Sequence, residues 1–444
     1  MLKQALEERA QSTGIYGDDP YDAMLAEYPD LVAIFDDVQN VPGLSTREEQ
    51  LRTLLSVNDL IVLKDRRDIA DRLRTVNFAR DDLGGVRYNP DGPNDRYLQF
   101  PSINAGDVPA YHWGGWRDAG SPDTVKLFAN WAAPKRLVMG PWTHWGSDDP
   151  RDREGTRIKG IEQRRWFDYW LKGVKNGVLD EPAVAFAVVR HPDTEEIDGP
   201  PIDGFDWRFS STFPTESASE QIFYFDNKPS GSVTSVNDGS LTSTPPNEEG
   251  TASFVVDYLS TMGAQTRYYD GNTWTYVSYP DLVAHAENAL TFTSAPLEQA
   301  LDVAGFPLIS VLISSTEPDG EFNFYLEEVD KDGDVHHLTD SAVRASYATL
   351  GAAPFNNLGL PWHLATIESA KSAPSLNAAP LPLELALQPI ANHFEKGSRI
   401  RLVITGADAD NNLTIPYLPE PTQNLLIGGA KPGLLKLPII NTER

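Results

Sequence analysis

The sequence predicts an α/β unit followed by an all-β unit, both behind a run of helices. Two short apolar runs, Val108 to Trp113 and Arg136 to Met139, each end in glycine and then present a polar side chain, with a helically spaced interval between them. From about residue 196, Gly, Pro, Ser and Thr punctuate short runs that alternate or are β-branched, the texture of a β-sandwich. Before about residue 100, apolar residues recur at helical spacing and no strand pattern stands out. The expected divisions are 1–105, 106–195 and 196–444.

In the first division, Tyr21 to Phe35 places Met24, Leu25, Tyr28, Leu31, Ile34 and Phe35 near one helix face. Glu48 to Arg80 does the same with Leu51, Leu54, Leu55, Leu60, Ile61 and Leu63, and Ser45-Thr46-Arg47-Glu48 is a capping box that starts it. In the second, Ser121 to Ala133 carries Val125, Leu127, Phe128 and Trp131, so the unit reads strand, Asp118 loop, helix, strand, His144 loop. A βαβ unit runs its strands parallel, which sets the acid and the imidazole at one edge of the sheet. Gly160 to Leu171 is an amphipathic helix with Trp166, Phe167 and Trp170 on an aromatic face; Glu162, Arg164 and Arg165 are expected on its solvated side. It stops at Gly173, and Val184–Val189 is a further strand.

Strands of the third division are expected at Gln221–Phe225, Ala252–Val256, Leu290–Thr293, Leu308–Ser314, Asn323–Val329, Leu383–Leu387 and Arg399–Thr405. Asp332-Gly333 and Lys396-Gly397 are turn pairs, and Ser230 to Gly250 reads as a polar loop. Asp330, Asp332 and Asp334 fit a hairpin turn better than a calcium loop, since the rest of such a motif is missing. His336-His337 has no partner at ligand spacing, so no metal site is expected.

Composition narrows the partners. A formal net charge of -27 over 444 residues argues against nucleic acid or an anionic membrane surface, which both require basic patches. With no cysteine there is no disulfide, thiolate nucleophile or zinc-thiolate site. No apolar run is long enough to span a bilayer, and the opening MLKQALEERAQS lacks the apolar core of a signal peptide. Cytoplasmic and secreted locations both stay open.

Asp118 and His144 lie 26 positions apart with a helix between them. A loop carboxylate can hold one imidazole nitrogen and leave the other to take a proton from a nucleophile. The alternative is a turn aspartate, and a histidine packed among Trp142, Trp145 and Trp166.

These residues resemble a known family: the CocE/NonD-type α/β-hydrolases, which group cocaine esterase, α-amino-acid ester hydrolases and X-prolyl dipeptidyl peptidases. VPAYHWGGWRDAG is similar to the family's strand and loop bearing the triad acid, and LVMGPWTHWG to its G-P-W-x-H segment bearing the triad histidine. The likeness continues through RRWFDYWLKGVKNGVLDEPAVAFAV and into LELALQPIANHFEKGSRIRLVITGAD. It implies a partial α/β-hydrolase domain with a helical cap and a C-terminal jelly-roll β-sandwich of the galactose-binding-like kind. It also implies Asp118 and His144 as catalytic acid and base, an acyl-enzyme mechanism and no cofactor.

The family's serine stands on a G-x-S-x-x-G elbow, and these 444 residues contain none ahead of Asp118. Ser45 alone follows a glycine at that spacing and it sits in the capping box; Ser12, Ser56 and Ser102 have no glycine framing. The expectation is a chain that starts inside the cap, lacks its nucleophile and is inactive alone, its open apolar sheet covered by a missing N-terminal segment or another copy. Ala119, Gly120 and Ser121 stand where the α-amino-acid ester hydrolases carry extra carboxylates, so an uncharged ester or amide is the expected substrate. Trp113, Trp116, Trp142 and Trp145 are candidates for an aromatic pocket or for interdomain packing. The rival reading is a non-catalytic module in which the sandwich binds carbohydrate or protein.

Overall fold

The computed structural model describes residues 99–143, 153–189 and 206–440, apart from 217, 236, 265, 269–276, 278, 280, 365, 366, 413 and 415. The expected helices at 21–35 and 48–80, the capping box, His144 and Trp145 lie outside the described residues. Those that are described form mostly β-sheet with few helices. No described helix is long and apolar enough to cross a membrane.

A four-stranded sheet holds the βαβ unit. After a short helix α1 (Phe100–Ala105) come β1 (Ala110–Gly115), α2 (Ser121–Asn130), β2 (Lys135–Gly140), α3 (Arg153–Lys172), β3 (Val184–Val188) and β4 (Asp206–Ser210), in the sheet order β1-β2-β3-β4. β1, β2 and β3 are parallel and β4 closes the order antiparallel. The expected strand, helix, strand sequence is therefore present, with each element within a few residues of its predicted bounds.

Both faces of this sheet are covered, as parallel strands require. Leu137, Met139, Val184 and Phe186 pack with Val125 and Phe128 of α2 on one face. Val138, Ala185 and Trp142 pack with Tyr111, Trp113 and Ile158 on the other, beneath α3. Glu162 and Arg165 do not occupy a solvated side. Glu162 accepts from the Tyr111 hydroxyl at 2.9 Å and pairs with Arg165 at 2.6 Å, while Arg136 pairs with Glu181 at 2.8 Å. Of the expected aromatic face of α3, Trp166 turns inward and Trp170 is half-buried, but Phe167 is exposed, and only the partners on β1 and β2 show which charges go with the inner face; Arg164 stays in solvent.

The strands described after β4 form one large sheet. Its strands are β5 (Ser219–Asp226), β6 (Asp238–Thr242), β7 (Gly250–Val255), β8 (Leu290–Ser294), β9 (Leu301–Gly305), β10 (Leu308–Ser315), β11 (Glu321–Val329), β12 (Val335–Arg344), β13 (Leu381–Ala386), β14 (Ile390–Phe394), β15 (Arg399–Thr405), β16 (Thr422–Ile427) and β17 (Leu434–Ile440). The main path runs β12-β11-β15-β8-β6-β5-β17-β10-β16-β7, with β13, β9 and β14 paired alongside. One apolar cluster draws Phe225, Phe292, Ile313, Phe324, Leu383, Phe394, Leu402, Leu425 and Leu435 from strands spread along that path, so the sheet curls over a shared core. The Asp330–Gly333 stretch is a hairpin turn between β11 and β12. Asp330 Oδ1 accepts the backbone N–H groups of Asp332 and Asp334, and Gly333 takes φ +94°.

Ser230 to Gly250 is not all loop, since β6 lies inside it. Only Leu241 in Asp-Gly-Ser-Leu-Thr signals a strand; pairing with β5 on one side and β8 on the other makes it one.

The two sheets share a core. Ala304, Phe306, Ala391 and Ile440 of the large sheet join Trp116, Phe186 and Phe213. Past the end of β3, Val189 N–H donates to Ala391 O at 3.0 Å and Val189 O accepts from His393 N–H at 2.9 Å, which stitches β3 to β14.

Candidate active site

β1 and β2 end side by side, with Gly114↔Met139 and Gly115↔Gly140 in register. The chain leaving each strand crosses the other's path at close quarters. Trp116 N–H donates to Gly140 O at 2.8 Å and Arg117 N–H to Trp142 O at 3.0 Å. A Cβ on Gly115 would stand 2.0 Å from Trp142 O, and one on Gly140 would enter the Trp142 ring at 2.4 Å. Glycine at both strand ends is therefore what lets the two loops approach.

Asp118 sits half-buried in the first loop. Its N–H donates to Gly115 O at 3.2 Å, its carbonyl accepts from Ser121 N–H at 3.1 Å, and its Oδ1 accepts from Gly120 N–H at 2.9 Å. Backbone and carboxylate are thus both held by bonds within the loop. α2 begins directly afterwards with Ser121 fully buried, so the loop is short and tied at each end. His144 follows Gly140 by four residues in sequence, outside the described residues.

The candidate tryptophans part company. Trp116 is 2 % exposed, donates its indole N–H to Ala187 O at 2.8 Å and lies 5.4 Å from Phe213, so its surface is taken up by the core shared between the sheets. Trp142 is 4 % exposed and stacks on Trp113 at 5.2 Å with 19° between the rings. Trp113 is half-buried. Trp145 lies outside the described residues. Trp113 and Trp142 therefore come together beneath α3, and Trp116 belongs to the opposite face.

His112, two residues ahead on the same strand as Gly114, is a packing residue. Its ring lies 6.0 Å from Phe128 and 5.3 Å from Trp131, both edge-on, and burial followed by the nearby Lys135 charge pushes its pKa down to about 4. A neutral imidazole on the α2 face takes no part in the Asp118 loop. No group of three or more His, Cys, Asp or Glu residues that could hold a metal ion occurs among the described residues.

Sequence comparison gives this arrangement a context. The family model described as the X-Pro dipeptidyl-peptidase C-terminal non-catalytic domain matches residues 176–426. Asp118 and His144 both precede that stretch. A Mycobacterium bovis protein named as a serine esterase is 28% identical over 354 residues, which is 76% of this chain and 51% of its own length. Cocaine esterase from Rhodococcus sp. (strain MB1 Bresler) is 23% identical over 349 residues, 74% of this chain and 53% of that protein. Among solved structures, a CocE/NonD family hydrolase from Staphylococcus aureus is similar in fold, with a TM-score of 0.60 and 15% identity over 89% of this chain and 62% of that one. The chain spans about half the length of the curated relatives it matches.

Proposed function

We propose that this chain, which belongs to the CocE/NonD-type α/β-hydrolase family of serine hydrolases, carries the acid and base of a Ser-His-Asp acyl hydrolase and relies on a serine outside these 444 residues. The observation that carries the reading is the parallel register Gly115↔Gly140. It ends β1 and β2 at one edge, with Asp118 three residues and His144 four residues further along the chain.

In this mechanism Asp118 accepts a hydrogen bond from His144 Nδ1 and holds the imidazole in the tautomer that leaves Nε2 free as a base. Nε2 takes the serine proton as the oxygen attacks the substrate carbonyl. It then returns the proton to the departing alcohol or amine, and water resolves the acyl-enzyme by the same route. The hydrogen bond from Gly120 N–H to Asp118 Oδ1 supports this assignment, because an orienting carboxylate works only if its own position is set. No cofactor enters the scheme.

An uncharged ester or amide is the proposed substrate, since Ala119, Gly120 and Ser121 offer no carboxylate for a substrate ammonium. Trp113 and Trp145 are left as the aromatic wall, Trp116 and Trp142 being spent on packing. The large curled sheet is proposed to be the family's C-terminal jelly-roll, in keeping with its mainly antiparallel pairings and the apolar core that most of its strands share.

A serine-directed fluorophosphonate probe with a p-nitrophenyl ester assay tests the proposal. The 444-residue chain should take no label and release no p-nitrophenolate. A version extended upstream to include a G-x-S-x-x-G elbow should do both. Labelling of the shorter chain defeats the claim about its nucleophile, and silence of the extended one defeats the hydrolase reading.

A further inference from the structure

A polar chain, buried at Arg267, His337 and Asp340, half-buried at Gln388 and exposed at Tyr268, runs from the large sheet to the Asp118 loop. Arg267 and Asp340 are both buried, with Arg267 Nε 3.4 Å from Asp340 Oδ2, and His337 Nε2 lies 3.0 Å from the same oxygen. The Tyr268 hydroxyl donates to the other carboxylate oxygen of Asp340. Arg267 also reaches Leu338 O at 3.2 Å. Arg267, Tyr268 and Asp340 each also bond Gln388, which stands between β13 and β14. Its Oε1 accepts from Arg267 Nη1 at 3.0 Å, its Nε2 donates to the Tyr268 hydroxyl at 2.8 Å, its N–H donates to Asp340 O at 3.2 Å, and its carbonyl accepts from Thr339 Oγ1 at 2.9 Å. The amide of Gln388 is fixed in both position and orientation.

One bond leaves this cluster. The Ser121 hydroxyl donates to Gln388 Oε1 at 3.2 Å, and Ser121 N–H in turn donates to Asp118 O at 3.1 Å. Removing two charges from water is costly before their attraction is counted, so a buried ion pair does not account for itself by stability alone. The large sheet already has an extensive apolar core of its own. What the pair does accomplish is to aim a rigid amide at the first residue of α2, one turn from the proposed triad acid.

We infer that Gln388, held by Arg267, Tyr268 and Asp340, is a positioning residue that sets the Asp118 loop from the large sheet through Ser121. The inference rests on the reading of Asp118 as the triad acid for its catalytic meaning. It makes the segment matched to a non-catalytic domain a structural determinant of the acid's placement.

Amide hydrogen exchange on the 444-residue chain tests the coupling, read on peptides spanning 115–121 against peptides from β2 and β3. Gln388→Leu should speed exchange at 115–121 about tenfold, as loss of a hydrogen bond to the buried Ser121 hydroxyl implies, with β2 and β3 unchanged. Ser121→Ala should act in the same direction, and it decides alone if Gln388→Leu does not fold. Gln388→Glu, which keeps an acceptor for Ser121 and Arg267, should restore the slower rate. Unchanged exchange at 115–121 in the first two variants, or an equal rise across β2 and β3, overturns the inference, as does failure of the glutamate to rescue. Exchange reports on the coupling even if the fluorophosphonate experiment rejects the hydrolase, so the two failures are separable.

Discussion

Two side chains, His112 half-buried and Glu321 buried, show how position alone retunes chemistry, with opposite consequences for pH. His112 is held near pKa 4 by burial and Lys135, against an ordinary value of 6.5. Folded chains therefore bind fewer protons than unfolded ones between those values, and stability falls as pH drops through that window. In urea titrations from pH 7 to pH 4 the midpoint of the wild type should fall relative to that of His112→Phe, which lacks the titrating group. Glu321 is 4 % exposed, and burial, partly offset by Thr414 and Arg344, pushes its pKa up to about 7 from 4.5. Its contribution is present below pH 4.5 and lost as pH rises through 7, because the folded state holds the proton longer. Glu321→Gln, which keeps the shape without the charge, should gain stability over the wild type at pH 8 relative to pH 4.5 in the same titration. Neither residue could be picked out from the chain: His112 lies in a strand-like run and Glu321 at the start of another, and burial is a property of the neighbours.

At the scale of elements, α3 ends where the sequence says it should. Gly173 takes φ +72°, and Gly173 N–H and Val174 N–H turn back to Tyr169 O and Asp168 O at 3.1 and 3.0 Å. Gly173→Ala should cost about 1 kcal/mol in a urea titration, since a Cβ disfavours the left-handed conformation even with open space around it. The same local logic made β1, α2, β2, β3, β11 and β15 legible: apolar runs bounded by glycine or turn pairs, and a 3.6 period between the first two strands. It missed β4, β6, β9, β12, β14, β16 and β17. Asp-Gly-Ser-Leu-Thr and Val-His-His-Leu-Thr-Asp-Ser-Ala-Val-Arg carry too few apolar residues at period two to stand out, and they are strands because the sheet on either side supplies their hydrogen-bond partners. The candidate site was legible in the same uneven way. Asp118 could be named from its loop, whereas Gln388 lies 267 residues from Ser121 and no local pattern links them.

For the molecule as a whole, the junction between the sheets is a single apolar core with Phe213 near its centre, 2 % exposed and in ring contact with both Trp116 and Phe186. Phe213→Ala should cost about 3–5 kcal/mol, and if the sheets fold as one unit the urea transition should shift as a single step in both tryptophan fluorescence and far-ultraviolet dichroism. Separate transitions would show that the sheets unfold independently. The sequence by itself determined the strand, helix, strand order around the Asp118 loop, the parallel pair that brings that loop to the edge, and the glycines at that edge, because these depend on period, turn chemistry and steric allowance over a few residues. Only the tertiary structure decided that Trp116 and Trp142 are packing, that Glu162 and Arg165 bind inward, and that Gln388 reaches the Asp118 loop. Each of those depends on which distant surface covers a side chain, and burial and long-range hydrogen bonds have no local signature.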